Sequence, residues 1–203
     1  MSAFNSYTIN LNLSTLKEYC IKHGEMTHFS RGDMFEIEGL KSQRIGYVVK
    51  GCFKYIVHNN TENRDYITGF SFENEFVCDF PNCMNQQPAI VSIVALENTD
   101  VYVINGTELK DIIDNQSRSN IYEHLFHQIY TQYLDTYRMT VRERYIHLLQ
   151  RCPQIVQQIN LKDIASFLRV TPTTISNIRR EITFESCKSQ NVLRLCKSFM
   201  SFP

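Results

Sequence analysis

Along the first half of the chain, apolar positions alternate with polar ones; along the second, they recur every three or four residues. Phe53, Tyr55 and Val57 alternate with Cys52, Lys54 and His58, the period of a strand with one buried face. The runs IGYVVKG (45–51), RDYITGFSF (64–72), AIVSIVAL (89–96) and DVYVI (100–104) are β-rich and of similar length. NNTEN (59–63), between two of them, has the composition of a hairpin turn. Short strands spaced in this way predict a sandwich, roll or barrel. Ahead of them, STLKEYCIKH (14–23) predicts a short helix with Ser14 as cap and Leu16, Tyr19 and Cys20 on one face.

Gly106 closes the extended region, and TELKDII (107–113) predicts a short helix. Residues 117–139 contain no Gly or Pro and predict a long one. Ile121, Leu125 and Ile129 step by four, and Tyr122, Phe126, Ile129, Tyr133 and Tyr137 run beside them. This apolar arc is wider than one seam needs. Either the whole helix packs on its own β-domain, or one row does so while the other meets the same helix of a second chain. The two are compatible, and a two-fold dimer is expected through Ile121, Tyr122, Leu125, Phe126, Ile129 and Tyr133.

After Pro153, NLKDIASFLRVTPTTISNIRREI (160–182) carries the sharpest signal. Asn160 can cap a helix with Asp163 at its third position, where a negative charge suits the positive helix end. Ile164, Phe167 and Leu168 supply a buried stripe, and Ala165 is small enough for a second helix to cross closely. Val170 anchors a turn, Thr171 caps again, and Pro172 takes the first helical position, where its missing N–H costs nothing. Ile175 and Ile178 form the inward side of the second helix. Two short helices joined by a tight turn make a helix-turn-helix. Its outward face would be Thr173, Thr174, Ser176, Asn177, Arg179 and Arg180. The hydroxyls and the amide can reach base edges, and the two arginines would meet phosphates. Arg169 holds a turn position that favours glycine, at a cost of roughly 1 kcal/mol. Either the turn is recast or Arg169 also touches the DNA backbone.

Composition sharpens this. The 203 residues carry no net charge, 43% hydrophobic and 21% charged side chains, which excludes disordered and low-complexity classes. The neutrality conceals a split: 10 basic against 17 acidic residues in 1–137, but 11 against 4 in 138–203. All seven glycines precede residue 107. Two domains are expected, the second basic and suited to nucleic acid. The seven cysteines are odd in number and scattered, which predicts reduced thiols in a cytosol. No apolar run is long enough to span a membrane, and MSAFNSYTINLNLS has neither the basic nor the apolar region of a secretory signal.

A β-roll, a long helix and a helix-turn-helix follow each other in the order of the catabolite-activator/fumarate-nitrate-reduction (CRP/FNR) regulator family, and residues 14–182 resemble it. FSRGDMFEIEG (29–39) with IGYVVKGCFKYIV (45–57) is similar to the family's opening roll strands, and RERYIHLLQRCPQI (142–155) with LKDIASFLRVTPTTISNIRR (161–180) to its DNA-binding domain. The resemblance implies an α+β fold: an antiparallel, cyclic-nucleotide-binding-like β-roll with flanking helices (1–116), a dimerisation helix (117–139) and a helix-turn-helix domain (140–203). It implies a cytoplasmic homodimeric transcription regulator, with double-stranded DNA, RNA polymerase and a small-molecule effector as partners.

ENEFVCDF (73–80) through AIVSIVALENTDVYVI (89–104) resembles the segment that forms the phosphate cassette in nucleotide-binding members. Those members place a Gly-Glu pair there for the ribose, and an Arg followed by Ser or Thr for the cyclic phosphate. Here Cys78-Asp79 and Ala89-Ile90 stand at those places as the candidate effector pocket. Asp79 keeps a carboxylate but the arginine is gone, and the nearest basic residues, Lys54 and Arg64, read as solvated strand positions. Binding of cAMP or cGMP is therefore not expected. The iron–sulfur branch of the family uses an N-terminal cysteine cluster, whereas only Cys20 falls in the first fifty residues. Cys78 and Cys83 lack further ligands at metal spacing, and His124 and His127 read as surface or interface residues. No metal or cofactor is expected. The family's wing has no counterpart in 183–203, where Val192, Leu195, Cys196 and Phe199 predict a short helix instead.

A cupin-like enzyme would share the roll, but it needs two or three clustered histidines, and the roll holds only His28 and His58. No Gly-rich phosphate loop, G-x-S-x-G elbow or H-E-x-x-H is present. A non-enzymatic regulator sensing an unidentified small molecule is expected. The alternative is a ligand-independent regulator whose roll is a scaffold or a protein-docking module.

Overall fold

Among the described residues, eight antiparallel strands pair into two four-stranded sheets: β1 (Glu25–Phe29), β2 (Met34–Glu36), β3 (Arg44–Lys50), β4 (Phe53–Asn59), β5 (Arg64–Ser71), β6 (Phe76–Val77), β7 (Ser92–Ala95) and β8 (Thr99–Asn105). One sheet has the order β1-β8-β3-β6 and the other β2-β7-β4-β5. The computed structural model describes residues 4–5, 13–80 and 82–184. The tail from 185, with the helix expected there, lies outside them.

The sheets close on Phe29, Phe35 and Phe53, whose ring centroids stand 5.5–5.6 Å apart, with Val48, Val77, Ile93 and Val101 around them. Gly46 makes the closure possible, since a Cβ there would lie 2.4 Å from Val101 Cγ1 and 2.8 Å from Val77 Cγ1. The predicted turn at 59–63 joins β4 to β5. Asn59 Oδ1 accepts from the amides of Thr61 and Glu62, and Asn63 has φ 45°.

Helix α1 (Ser14–His23) buries Leu16 and Cys20 against the outer face of the first sheet. Ser14 does not cap it: Ser14 is already helical, Leu13 holds the cap position, and no side chain bonds there. After α2 (Asn82–Asn85), the region predicted at 107–113 forms a 3₁₀ turn, Gly106–Glu108, and α3 (Leu109–Ile112). Helix α4 (Asn115–Arg138) starts on Asp114, whose carboxylate accepts from Ser117 N at 2.6 Å. It is followed by α5 (Val141–Arg151), opened by a Thr140–Glu143 capping box, α6 (Ile155–Gln158), α7 (Leu161–Phe167) and a helix over 172–184, α8.

These last helices share one apolar cluster with the roll. Tyr145, Leu148, Ile155, Ile164 and Ile175 continue into Ile67, Phe70, Phe72 and Phe4. Polar contacts cross the same seam. Ile67 N donates to Ser166 Oγ at 3.1 Å, and Lys54, expected to be solvated, pairs with Asp163 at 3.4 Å.

Glu75 is buried beneath this seam. It accepts from Asn5 N, Asn5 Nδ2 and Phe72 N. Burial outweighs these bonds and pushes its carboxyl above the usual range. A carboxyl raised in the folded state stabilises it most when protonated, and that contribution is lost as pH climbs through the folded pKa. Wild type should therefore lose stability relative to Glu75→Gln as pH rises above the ordinary glutamate pKa of about 4.3 in urea unfolding. A gap that stays constant or moves the other way would show that the bonds, not burial, dominate.

Candidate nucleic-acid interface

The amide of Asp163 donates to Asn160 Oδ1 at 2.8 Å, which fixes the start of α7. The helix ends with Leu168 as its last cap. Arg169 N then donates to Ser166 O at 3.0 Å and Val170 N to Ala165 O at 2.9 Å. This paired closure needs a left-handed residue after the cap, and Arg169 supplies it with φ 58°. The turn is therefore not recast to suit the side chain. Its guanidinium lies 5.8 Å from the Tyr66 ring, on the roll.

Thr174 N donates to Thr171 Oγ1 at 3.2 Å, and α8 runs on from Pro172. Ile175 and Ile178 are buried against α7, beside the equally buried Ala165. Thr171, Pro172, Thr173, Ser176, Asn177 and Arg180 are exposed, while Thr174 is half-buried. Arg180 Nη2 reaches Asn177 Oδ1 at 3.3 Å, so a guanidinium and an amide stand together on the open face.

Arg179 does not belong to that face. It is half-buried, its Nε donates to Tyr145 Oη at 2.6 Å, and its guanidinium lies over the Tyr145 ring. Four residues after Ile175, it borders the inward stripe, and α5 offers it an acceptor. Its role here is to hold α8 to α5.

The two rows of α4 part company. Ile121 is buried within its own chain and Leu125 is half-buried, so Ile121 is not open to a second chain. Tyr122, Phe126, Ile129, Tyr133 and Tyr137 are exposed, Phe126 at 67% and Tyr137 at 74%. Tyr130, which the sequence does not single out, joins them by stacking on Phe126 at 5.6 Å.

The four cassette positions also come together, but their chemistry is already spent. Asp79 Oδ2 accepts from Ile90 N at 2.7 Å and from Asn82 Nδ2 at 3.1 Å. The carboxylate that would face a ribose thus satisfies a backbone amide instead. Ala89 is buried, and its amide bonds to Leu40 O at 2.7 Å. A hydrogen bond with Cys83, then burial, holds the Cys78 thiol well above its ordinary range. Cys78 is thus a protonated packing residue rather than a nucleophile.

Solved structures of CRP/FNR regulators share this architecture, which is the fold of this chain. FixK2 from Bradyrhizobium japonicum is 15% identical, with a TM-score of 0.67 over 80% of this chain and 86% of that one. A CooA variant from Carboxydothermus hydrogenoformans is 12% identical, with a TM-score of 0.62 over 87% and 86%. CLP from Xanthomonas campestris, a c-di-GMP-responsive global regulator, is 14% identical, with a TM-score of 0.58 over 86% and 93%. No family model matches the sequence, and no curated protein does. Among the described residues, no helix is long and apolar enough to cross a membrane.

Proposed function

We propose that the chain is a homodimeric, sequence-specific DNA-binding transcription regulator of the CRP/FNR type, and not an enzyme. The observation that carries this reading is the open face of α8, where Thr173, Ser176, Asn177 and Arg180 stand together at the exposed end of a helix-turn-helix. Pairing of two α4 helices through their exposed rows would set two copies of α8 about 34 Å apart, one turn of DNA, on a site with two-fold symmetry. Each α8 would then enter a major groove, with Asn177 suited to an adenine edge and Arg180 to a phosphate. Asp79, committed to Ile90 N, favours a roll that takes no cyclic nucleotide. The same observation supports a second reading, in which the roll is a ligand-free scaffold.

Two substitutions test the assignment by fluorescence anisotropy on a bound duplex. Arg180→Ala should weaken binding to all sequences alike and reduce the salt slope by about one. Asn177→Ala should cost about 1–3 kcal/mol on the preferred sequence and relax the choice of base at one position of each half-site. Binding curves unmoved by both, across a salt titration, would remove α8 from the interface.

A further inference from the structure

We propose that a cavity between the roll and the helix-turn-helix lobe, remote from the cassette, binds a small aromatic anion. Its volume is 740 Å³, within the range of small-molecule sites. Three segments far apart in sequence wall it: the β4–β5 hairpin, the C-terminal half of α4, and α5 with the end of α7.

The charge on these walls is one-sided. Arg144, Arg151 and Arg169 line the cavity, with His147 beside them. Among the described residues of the lining, Asp135 is the one carboxylate, and it already accepts from Arg138 Nε at 2.6 Å. Arg144 donates from Nη1 to Leu168 O at 3.2 Å, but its Nε and that of Arg151 are buried with no hydrogen-bond partner among the described residues. Burial also lowers the pKa of Arg151, outweighing the opposing pull of Cys152, Glu75 and Asp135. Buried guanidinium N–H groups without acceptors are costly. A carboxylate, phosphate or sulfonate would supply those acceptors in charge-assisted hydrogen bonds. The rest of the wall suits a flat apolar body: Tyr66, Tyr133 and Phe167 contribute rings, and Val57, Ile67 and Leu148 contribute aliphatic surface.

Such a ligand would touch the roll, the long helix and Arg169 of the helix-turn-helix turn at once. Any effect on DNA affinity rests on the regulatory reading above; the site itself does not.

The test uses the full chain without DNA and two fluorescent probes of similar shape. One is anilinonaphthalene sulfonate; the other is phenylnaphthylamine, which lacks the charge. The expected result is one sulfonate bound per protomer, at least tenfold tighter than the neutral probe. Arg144→Met and Arg151→Met should each weaken the sulfonate about tenfold or more, and leave the neutral probe little changed. Thr68→Trp, a bulkier side chain on the β5 wall, should block both probes while sparing the arginines. If the arginine variants do not fold, the probe pair and Thr68→Trp decide the matter. Equal affinity for the two probes in wild type, or sulfonate binding untouched by Thr68→Trp, would overturn the proposal. Duplex binding is read separately, so a chain that ignored DNA could still show the site.

Discussion

Replacing Tyr145 with alanine is expected to cost about 3–5 kcal/mol, a large share of the roughly 5–15 kcal/mol that holds a typical domain folded. The ring is 1% exposed, in the cluster that α5, α7 and α8 share with Phe70 and Phe72 of the roll. Its removal opens a cavity that the surrounding helices cannot wholly collapse into. It also strips Arg179 of the hydroxyl that accepts from Nε, while Arg179 Nη2 is already buried without a partner among the described residues. Tyr145→Phe isolates the second effect: packing is kept and only the hydroxyl is lost, for about 1–3 kcal/mol. The chain has no tryptophan, so urea unfolding is best followed by far-ultraviolet circular dichroism. Losses below about 1 kcal/mol for the alanine variant would contradict the placing of Tyr145 in a shared core.

Phe126→Asp should reduce duplex affinity by about 10²–10⁴-fold, because a chain that cannot pair loses the second of two linked contacts. Phe126 is 67% exposed in the single chain, so aspartate there need not disturb the protomer. In the proposed dimer the same residue sits mid-row between Tyr122 and Tyr133, where a carboxylate would be buried against its symmetry mate. Sedimentation should show wild type as a dimer and the variant as a monomer, with matching circular dichroism. A monomeric wild type, or a variant that still pairs, would detach the exposed row from dimerisation.

Much of this was legible because local chemistry and tertiary role agree. The alternating sequence marks the place of β4, although Lys54 to Val57 are all half-buried rather than alternately buried and open, and the Asn-rich turn after it closes as its composition requires. In the helix-turn-helix, Asn160, Thr171, Ala165, Ile175 and Ile178 each do what their residue type suggests at that spacing. The strain at Arg169 was visible too, as a side chain where glycine is favoured. Other features were hidden for physical reasons. Strand β1 buries only Phe29, so it shows no alternation. Arg179 reads as a surface residue until α5 brings Tyr145 over it, although its place four after Ile175 is a local hint. Ile121 and Phe126 both look like interface residues, and only the packed roll separates them. The arginine-lined cavity had no local signal, since its walls join hairpin, long helix and helix-turn-helix lobe across most of the chain. Asp79 stayed ambiguous for a similar reason: the amide that uses its carboxylate is eleven residues away.

Whether α8 reads double-stranded DNA is decided by selecting bound fragments from a random duplex library with the purified chain. Enrichment of an inverted repeat with half-sites about 10 base pairs apart, centre to centre, is expected, with a changed consensus when Asn177→Ala is used for the selection. A pool that stays random, with no retention of any duplex even at low salt, would contradict that role for α8.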